Sequence, residues 1–302
     1  MRSCFHTVLA GGISLVVSLG MVVPAAEAQQ QASEPAVQLP LPQASPHALV
    51  QQTIGLTDIS VDYHAPGVKG RTIWGQLVPY SQIWRAGANE NTIIKFSAAV
   101  RINGQAVPAG SYSIYVLPVS DQDWQFVLNR VITHWGAEGY EEKDDLVRIP
   151  IVPEASPFRE TLLYWFSDAK NGTARLNLSW EKLTGSLYIT TDVHAQALAG
   201  IEQTLAKQPG NWQLLAQAAE YLIQNNIQAE LALRYINESI RLNDTYLNNW
   251  LKARLLASKE DYSTAIVYAR KALKLGEKDD NAFMSQQPTM RIALTEWQAK
   301  AY

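Results

Sequence analysis

Four histidines and one stretch rich in tryptophan and arginine carry most of the chemistry this sequence offers. Past residue 28 the histidines are His47, His64, His134 and His194. None stands in an H-E-x-x-H arrangement or in a close pair, so no metal site is assigned. Asp62 and His64 lie two residues apart, on one face of an extended strand. A carboxylate beside an imidazole orients the ring and supports acid–base work, although a solvated sheet face has the same spacing.

Residues 68–91, VKGRTIWGQLVPYSQIWRAGANEN, set Lys69, Arg71, Arg85, Asn89 and Glu90 among Trp74, Tyr80 and Trp84. Aromatic planes, guanidinium forks and an amide together suit a small polar ligand such as a sugar, a carboxylated metabolite or a peptide end. The candidate ligand-binding residues are therefore Lys69, Arg71, Trp84, Arg85, Asn89, Glu90, His64 and His134. The competing reading is structural. In it an Arg85–Glu90 ion pair pins a long connection over the open end of a sandwich, and Trp74 and Trp84 plug the core. A second cluster, His134-Trp135-Gly136 followed by Tyr140-Glu141-Glu142, faces the same site or caps the other end. G-x-S-x-G, P-loop and G-x-G-x-x-G motifs are absent. No catalytic residue and no cofactor is assigned.

The elements that must position these residues change character once. Across residues 45–193 the apolar period is two, as in Ile59, Val61 and Tyr63 alternating with Asp58, Ser60, Asp62 and His64. Asn103-Gly104 between two extended runs is a hairpin signal. Strands are expected at 59–63, on both sides of that turn, and at 111–117, 124–128, 146–152, 161–166, 173–180 and 187–191. Roughly nine short strands argue for an antiparallel β-sandwich. From residue 194 onward the period is 3.6, with helices expected at 195–206, 212–224, 229–242, 246–258 and 263–275, and a flanking helix at 290–301. Ala232, Ser239 and Ile240 recur as Ala265, Ala272 and Leu273 after 33 residues, close to the tetratricopeptide period. The expected fold class is α+β multidomain, an N-terminal antiparallel β-sandwich (45–193) followed by a C-terminal all-α tetratricopeptide-like domain (194–302).

Residues 1–28 read as a signal peptide: Arg2 and His6, an apolar run, Pro24, then Ala26-Glu27-Ala28. Residues 29–44 form a Gln/Pro/Ala-rich linker. Cleavage near Ala28 would leave a periplasmic or secreted protein with no membrane span in the mature chain. It would also remove Cys4, the one cysteine, and with it any disulfide or thiolate chemistry. A net charge of −3, from 25 basic and 28 acidic side chains, disfavours nucleic acid as a partner.

The runs QTIGLTDISVDY (52–63), PGVKGR (66–71), IWGQLVPYSQIWRAGANE (73–90), ING (102–104), PAGSY (108–112) and Trp135-Gly136 closely resemble the bacterial domain of unknown function 2911. The resemblance covers residues 45–193 and implies an exported β-rich protein, some relatives continuing into tetratricopeptide-like helices. It implies no activity. Family members often carry Arg at the position of Ala65 and Ala at that of Asn91. The reading from the residues is a binding or interaction protein, whose sandwich takes a small polar ligand or peptide and whose helices contact a protein partner. The alternatives are a hydrolase or lyase using His64 or His134 with Arg85 and Glu90, and a purely structural envelope component.

Overall fold

The computed structural model describes residues 41–120, 123–276 and 280–301. The expected signal peptide and all but the last four residues of the expected linker lie outside them. Alternation of side chains builds the first sheet. In β2 (Thr57–His64), Thr57, Ile59, Val61 and Tyr63 are buried while Asp58, Ser60, Asp62 and His64 face away. It pairs with β1 (His47–Ile54) on one side and β3 (Thr92–Phe96) on the other, and β6 (Gly110–Ser120), β7 (Asp123–Asn129) and β8 (Asp145–Ile151) follow in that order. A second sheet has the order β5 (Gln105–Val107), β4 (Val100–Ile102), β10 (Thr173–Thr191), β9 (Glu154–Lys170). All of these pairings are antiparallel.

Ile59, Ile114 and Phe126 from the first sheet and Leu162, Leu178 and Ile189 from the second belong to one buried cluster, so the sheets form a sandwich. Each such side chain taken fully out of water stabilises the fold by about 1.5–3 kcal/mol. Asn103 and Gly104 turn β4 into β5 with φ of 47° and 83°, the positive pair that a tight hairpin turn requires. The expected strands at 173–180 and 187–191 prove to be a single strand, β10. Register shifts at Ser179, Glu181 and Leu183 break its alternation but not its pairing with β9. β1 and β3 had no counterpart among the expected strands. β1 is an edge strand whose inward side chains are only half-buried, which blurs its pattern.

Among the described residues six helices follow: α1 (Val193–Lys207), α2 (Trp212–Gln224), α3 (Ala229–Leu242), α4 (Tyr246–Ser258), α5 (Tyr262–Leu275) and α6 (Asn281–Lys300). Asp192, Asn211 and Asp261 cap α1, α2 and α5 by accepting hydrogen bonds from first-turn amides, and Thr245 with Asn248 forms a capping box on α4. α2 packs on α3, α3 on α4, and α4 on α5. The repeated small residues Ala232, Ser239, Ala265 and Ala272 are all fully buried, which lets the helices approach closely and gives the array its tetratricopeptide-like character. From Gln43 on, sheets and helices make a single compact unit, although their hydrophobic clusters are separate. Gln196 of α1 and Thr57 of β2 are hydrogen-bonded side chain to side chain at 2.9 Å. No helix of the described residues is long and apolar enough to cross a membrane.

Candidate functional site

The connection from β2 to β3, residues 65–91, crosses the mouth of the sandwich and is tied to both sheets. At its start Val68 N–H donates to Glu160 O (2.7 Å), and Leu162 N–H donates to Pro66 O (3.0 Å), which adds Gly67 to the edge of β9. Further along, Trp84 and Val116 exchange backbone hydrogen bonds of 2.9 and 2.8 Å, placing Trp84 beside β6. Ile73, Val78 and Ala86 are buried in the sandwich core. Trp74 joins Trp84, Trp124 and Trp180 in an aromatic cluster with centroid separations of 4.5 to 6.1 Å, the Trp84 and Trp180 planes lying stacked at 18°. The expectation that Trp74 and Trp84 plug the core therefore describes one side of this segment.

Its other side bounds an open cavity of about 420 Å³, lined among others by Arg71, Val78, Trp84, Arg85, Ala137 and Trp180. Arg71 is held in place by its own neighbours, donating from Nε to Val68 O (3.1 Å) and from Nη2 to Gly67 O (2.6 Å). Arg85 is partly buried, its guanidinium lying over the Cα of Gly136, and it has neither a hydrogen-bond acceptor nor an acidic partner among the described residues. Among the described residues no acidic side chain lines the cavity. The indole N–H groups of Trp74, Trp124 and Trp180 are buried without an acceptor among the described residues. Orphan buried donors destabilise a fold by about 1–3 kcal/mol each, and of the groups lining this cavity the Arg85 guanidinium and the Trp180 indole are donors without an acceptor among the described residues.

The remaining candidates lie elsewhere. Lys69 is exposed at φ 48°, its backbone N–H held by the Glu160 carboxylate at 2.8 Å. Asn89 donates to Gln43 Oε1 (2.9 Å) and Ser45 O (3.3 Å), anchoring the incoming chain. The expected Arg85–Glu90 pair does not form, because Glu90 instead meets His64 Nδ1 at 3.2 Å. The Asp62–His64 pairing also gives way: across β1 and β2, Asp62 accepts from His47 Nε2 at 2.8 Å. His134 packs beside Gly139, with Nδ1 buried and unpartnered. His64, His134 and Glu90 line no part of the cavity that holds Arg85.

The second expected cluster borders the cavity by its backbone. Residues 130–144 cover the outer face of the six-stranded sheet, where Tyr115 OH donates to Gly136 O (3.2 Å) and Asn91 Nδ2 donates to Tyr115 OH (3.0 Å). Tyr140 OH donates to Asp145 Oδ2 (2.7 Å), and Arg148 Nε reaches the same oxygen (2.8 Å). Burial, then the Asp145 carboxylate, pushes the Tyr140 hydroxyl well above the usual tyrosine range, and burial raises that of Tyr115. Both hydroxyls stay protonated donors and keep this cover, and with it Gly136 and Ala137, in place. Trp180 and Ala137 were not among the expected site residues: Trp180 shares the apolar face of β10 with core leucines, and Ala137 follows Gly136 in the cluster whose placement the sequence left open.

Among the described residues no three of His, Cys, Asp and Glu form a group able to hold a metal ion. An apolar groove of about 480 Å³ runs between α1 and α2, with Leu56, Ile201, Leu205, Leu214 and Tyr221 in its walls. A family model described as Protein of unknown function (DUF2911) matches residues 45–189. No curated protein and no solved structure matches the chain.

Proposed function

We propose, for a chain whose residues 45–189 belong to the DUF2911 family, a binding protein whose sandwich takes a small anionic ligand, a carboxylated metabolite or the carboxyl end of a peptide. The observation that carries this reading is Arg85, a partly buried residue without an acceptor among the described residues, sharing an acid-free cavity with Arg71. A buried cation is normally paired, and a ligand carboxylate supplies the pair with bidentate geometry. Trp84, Val78 and Ile83 give the cavity an apolar wall for the ligand's carbon body. The lining contains neither an imidazole nor a carboxylate, which favours binding over hydrolysis or lyase chemistry.

The helices, with the groove between α1 and α2, serve a protein partner in this reading. Residues 1–28 act as an export signal and the mature chain works in the periplasm or outside the cell. The ligand test is a thermal-shift and titration panel of aliphatic and aromatic carboxylates, each beside its neutral amide. Carboxylates at 100 times Kd should stabilise the protein by about 2.7 kcal/mol, while the amides do nothing. Equal binding of the amides, or no shift across the panel, would overturn the assignment.

A further inference from the structure

The polar groups outside the cavity gather where β1 begins and β2 ends. His47 and His64 are directly opposed in the register of the two strands, and such cross-strand partners have Cβ atoms about 4.5–5.5 Å apart. Their ring centroids are 5.4 Å apart with planes at 63°. A carboxylate already holds one nitrogen of each ring: Asp62 Oδ1 at 2.8 Å from His47 Nε2, and Glu90 Oε2 at 3.2 Å from His64 Nδ1. His47 Nδ1 and His64 Nε2 have no partner among the described residues.

In a neutral imidazole, a carboxylate on one nitrogen keeps the proton there, so the lone pair sits on the other nitrogen, the one a metal takes. The ring spacing fits that use. With nitrogen about 2.0–2.1 Å from a zinc ion and each ring centre about 1.2 Å further out, two imidazoles at a tetrahedral angle stand about 5.3 Å apart. The two carboxylates beside the rings supply negative charge that suits a dication. The ion has access from the His47 side, where the His47, Asp62 and Glu90 side chains are 55%, 53% and 51% exposed, while His64 is 12% exposed beneath them.

We propose that His47 and His64 form a two-imidazole site for a transition-metal dication, Cu²⁺ or Zn²⁺, with Asp62 and Glu90 orienting the rings. Because no third His, Cys, Asp or Glu among the described residues completes a group, water or an incoming ligand fills the remaining positions. None of the four residues lines the arginine cavity, so this site stands or falls independently of the anion reading.

The experiment is calorimetric titration of the untagged protein with CuCl₂ and with ZnCl₂ in a non-chelating buffer near neutral pH. One saturable equivalent is expected. His47→Ala and His64→Ala should each weaken it at least tenfold and their combination abolish it, while Asp62→Asn or Glu90→Gln should weaken it by about 10–100-fold. Electron paramagnetic resonance of the copper form should show coupling to two imidazole nitrogens. If His64→Ala does not fold, the exposed His47→Ala variant and the resonance spectrum decide. No saturable equivalent, or one that persists in the His47→Ala protein with unchanged affinity, would overturn the site; persistence would assign the metal to His134 or His194.

Discussion

Replacing Arg85 by methionine should make the protein more stable, which is the reverse of what a structural pin would do. Methionine keeps a long flexible stem to lie over Gly136 and against the cavity wall, and removes only the charge. A fully buried unpaired ion is worth several kcal/mol of destabilisation. Arg85 is partly buried and open to the cavity, so a fraction of that, about 1 kcal/mol, should be recovered on removing it. In a folded unit of this size 1 kcal/mol moves Tm by about 2–4 °C. Urea unfolding, followed at 25 °C with the m value checked for constancy, measures the change directly. The same variant should lose the stabilisation that carboxylates give the parent. A loss of 1 kcal/mol or more at unchanged m would mean that Arg85 braces the connection, and the case for an anion site would collapse.

Gly136→Ala tests the same contact from the other side: at φ 75°, with its Cβ overlapping Arg85 Nη1, it should destabilise the fold by about 1–2 kcal/mol and weaken carboxylate binding, both read by titration and urea melts. Binding as tight as in the parent would count against the pocket geometry. Asn248 is fully buried, accepts from Thr245 N–H (3.0 Å) and donates to Asn243 O (2.7 Å) and Ser239 Oγ (3.2 Å). Asn248→Ala should therefore lower stability by about 2 kcal/mol; a change in urea midpoint too small to measure would refute the capping account. Burial raises the Asp244 carboxyl, but the Lys271 ammonium at 2.7 Å and the Asn249 amide outweigh it and hold the group below the usual aspartate range. A depressed folded value stabilises above the unfolded pKa and is lost as pH falls. Asp244→Asn should thus be weaker than the parent by roughly 0.5 kcal/mol at pH 7, a gap that closes as pH falls below the ordinary aspartate range; a gap that widens on acidification would contradict the sign.

The helices were legible because two local signals coincide in them. The 3.6 period of α2, α3 and α4 meets cap or break residues such as Asn211 and Asn225, and all three run over the residues expected of them. The Asn103-Gly104 turn was legible for the same reason, its chemistry being local. β10 was split because its alternation breaks at Glu181, where φ turns to 54°, while pairing with β9 continues across the break, which no local pattern reports. At the site, Arg71, Trp84 and Arg85 could be read from one unusual stretch. The partners of Arg85 and Glu90 could not, since either sign of neighbour satisfies the composition and the choice lies in which way a turn at Ala86 (φ 51°) and Asn89 (φ 55°) aims them. The His47–His64 juxtaposition depends on strand register, a property of two segments that neither states alone.

The gathered indoles also make the mouth of the sandwich an optical instrument. Four of the nine tryptophans, Trp74, Trp84, Trp124 and Trp180, lie within 4.5–6.1 Å of a neighbour in the cluster. At such distances electronic transitions couple and excitation migrates among the rings, so part of the near-ultraviolet dichroism and of the emission originates there, the stacked Trp250 and Trp297 pair at 5.6 Å adding a second source. Two of those rings, Trp84 and Trp180, are also walls of the arginine cavity. A molecule that enters beside them changes the spectrum of the unlabelled protein, and an extract can be fractionated by following that change alone.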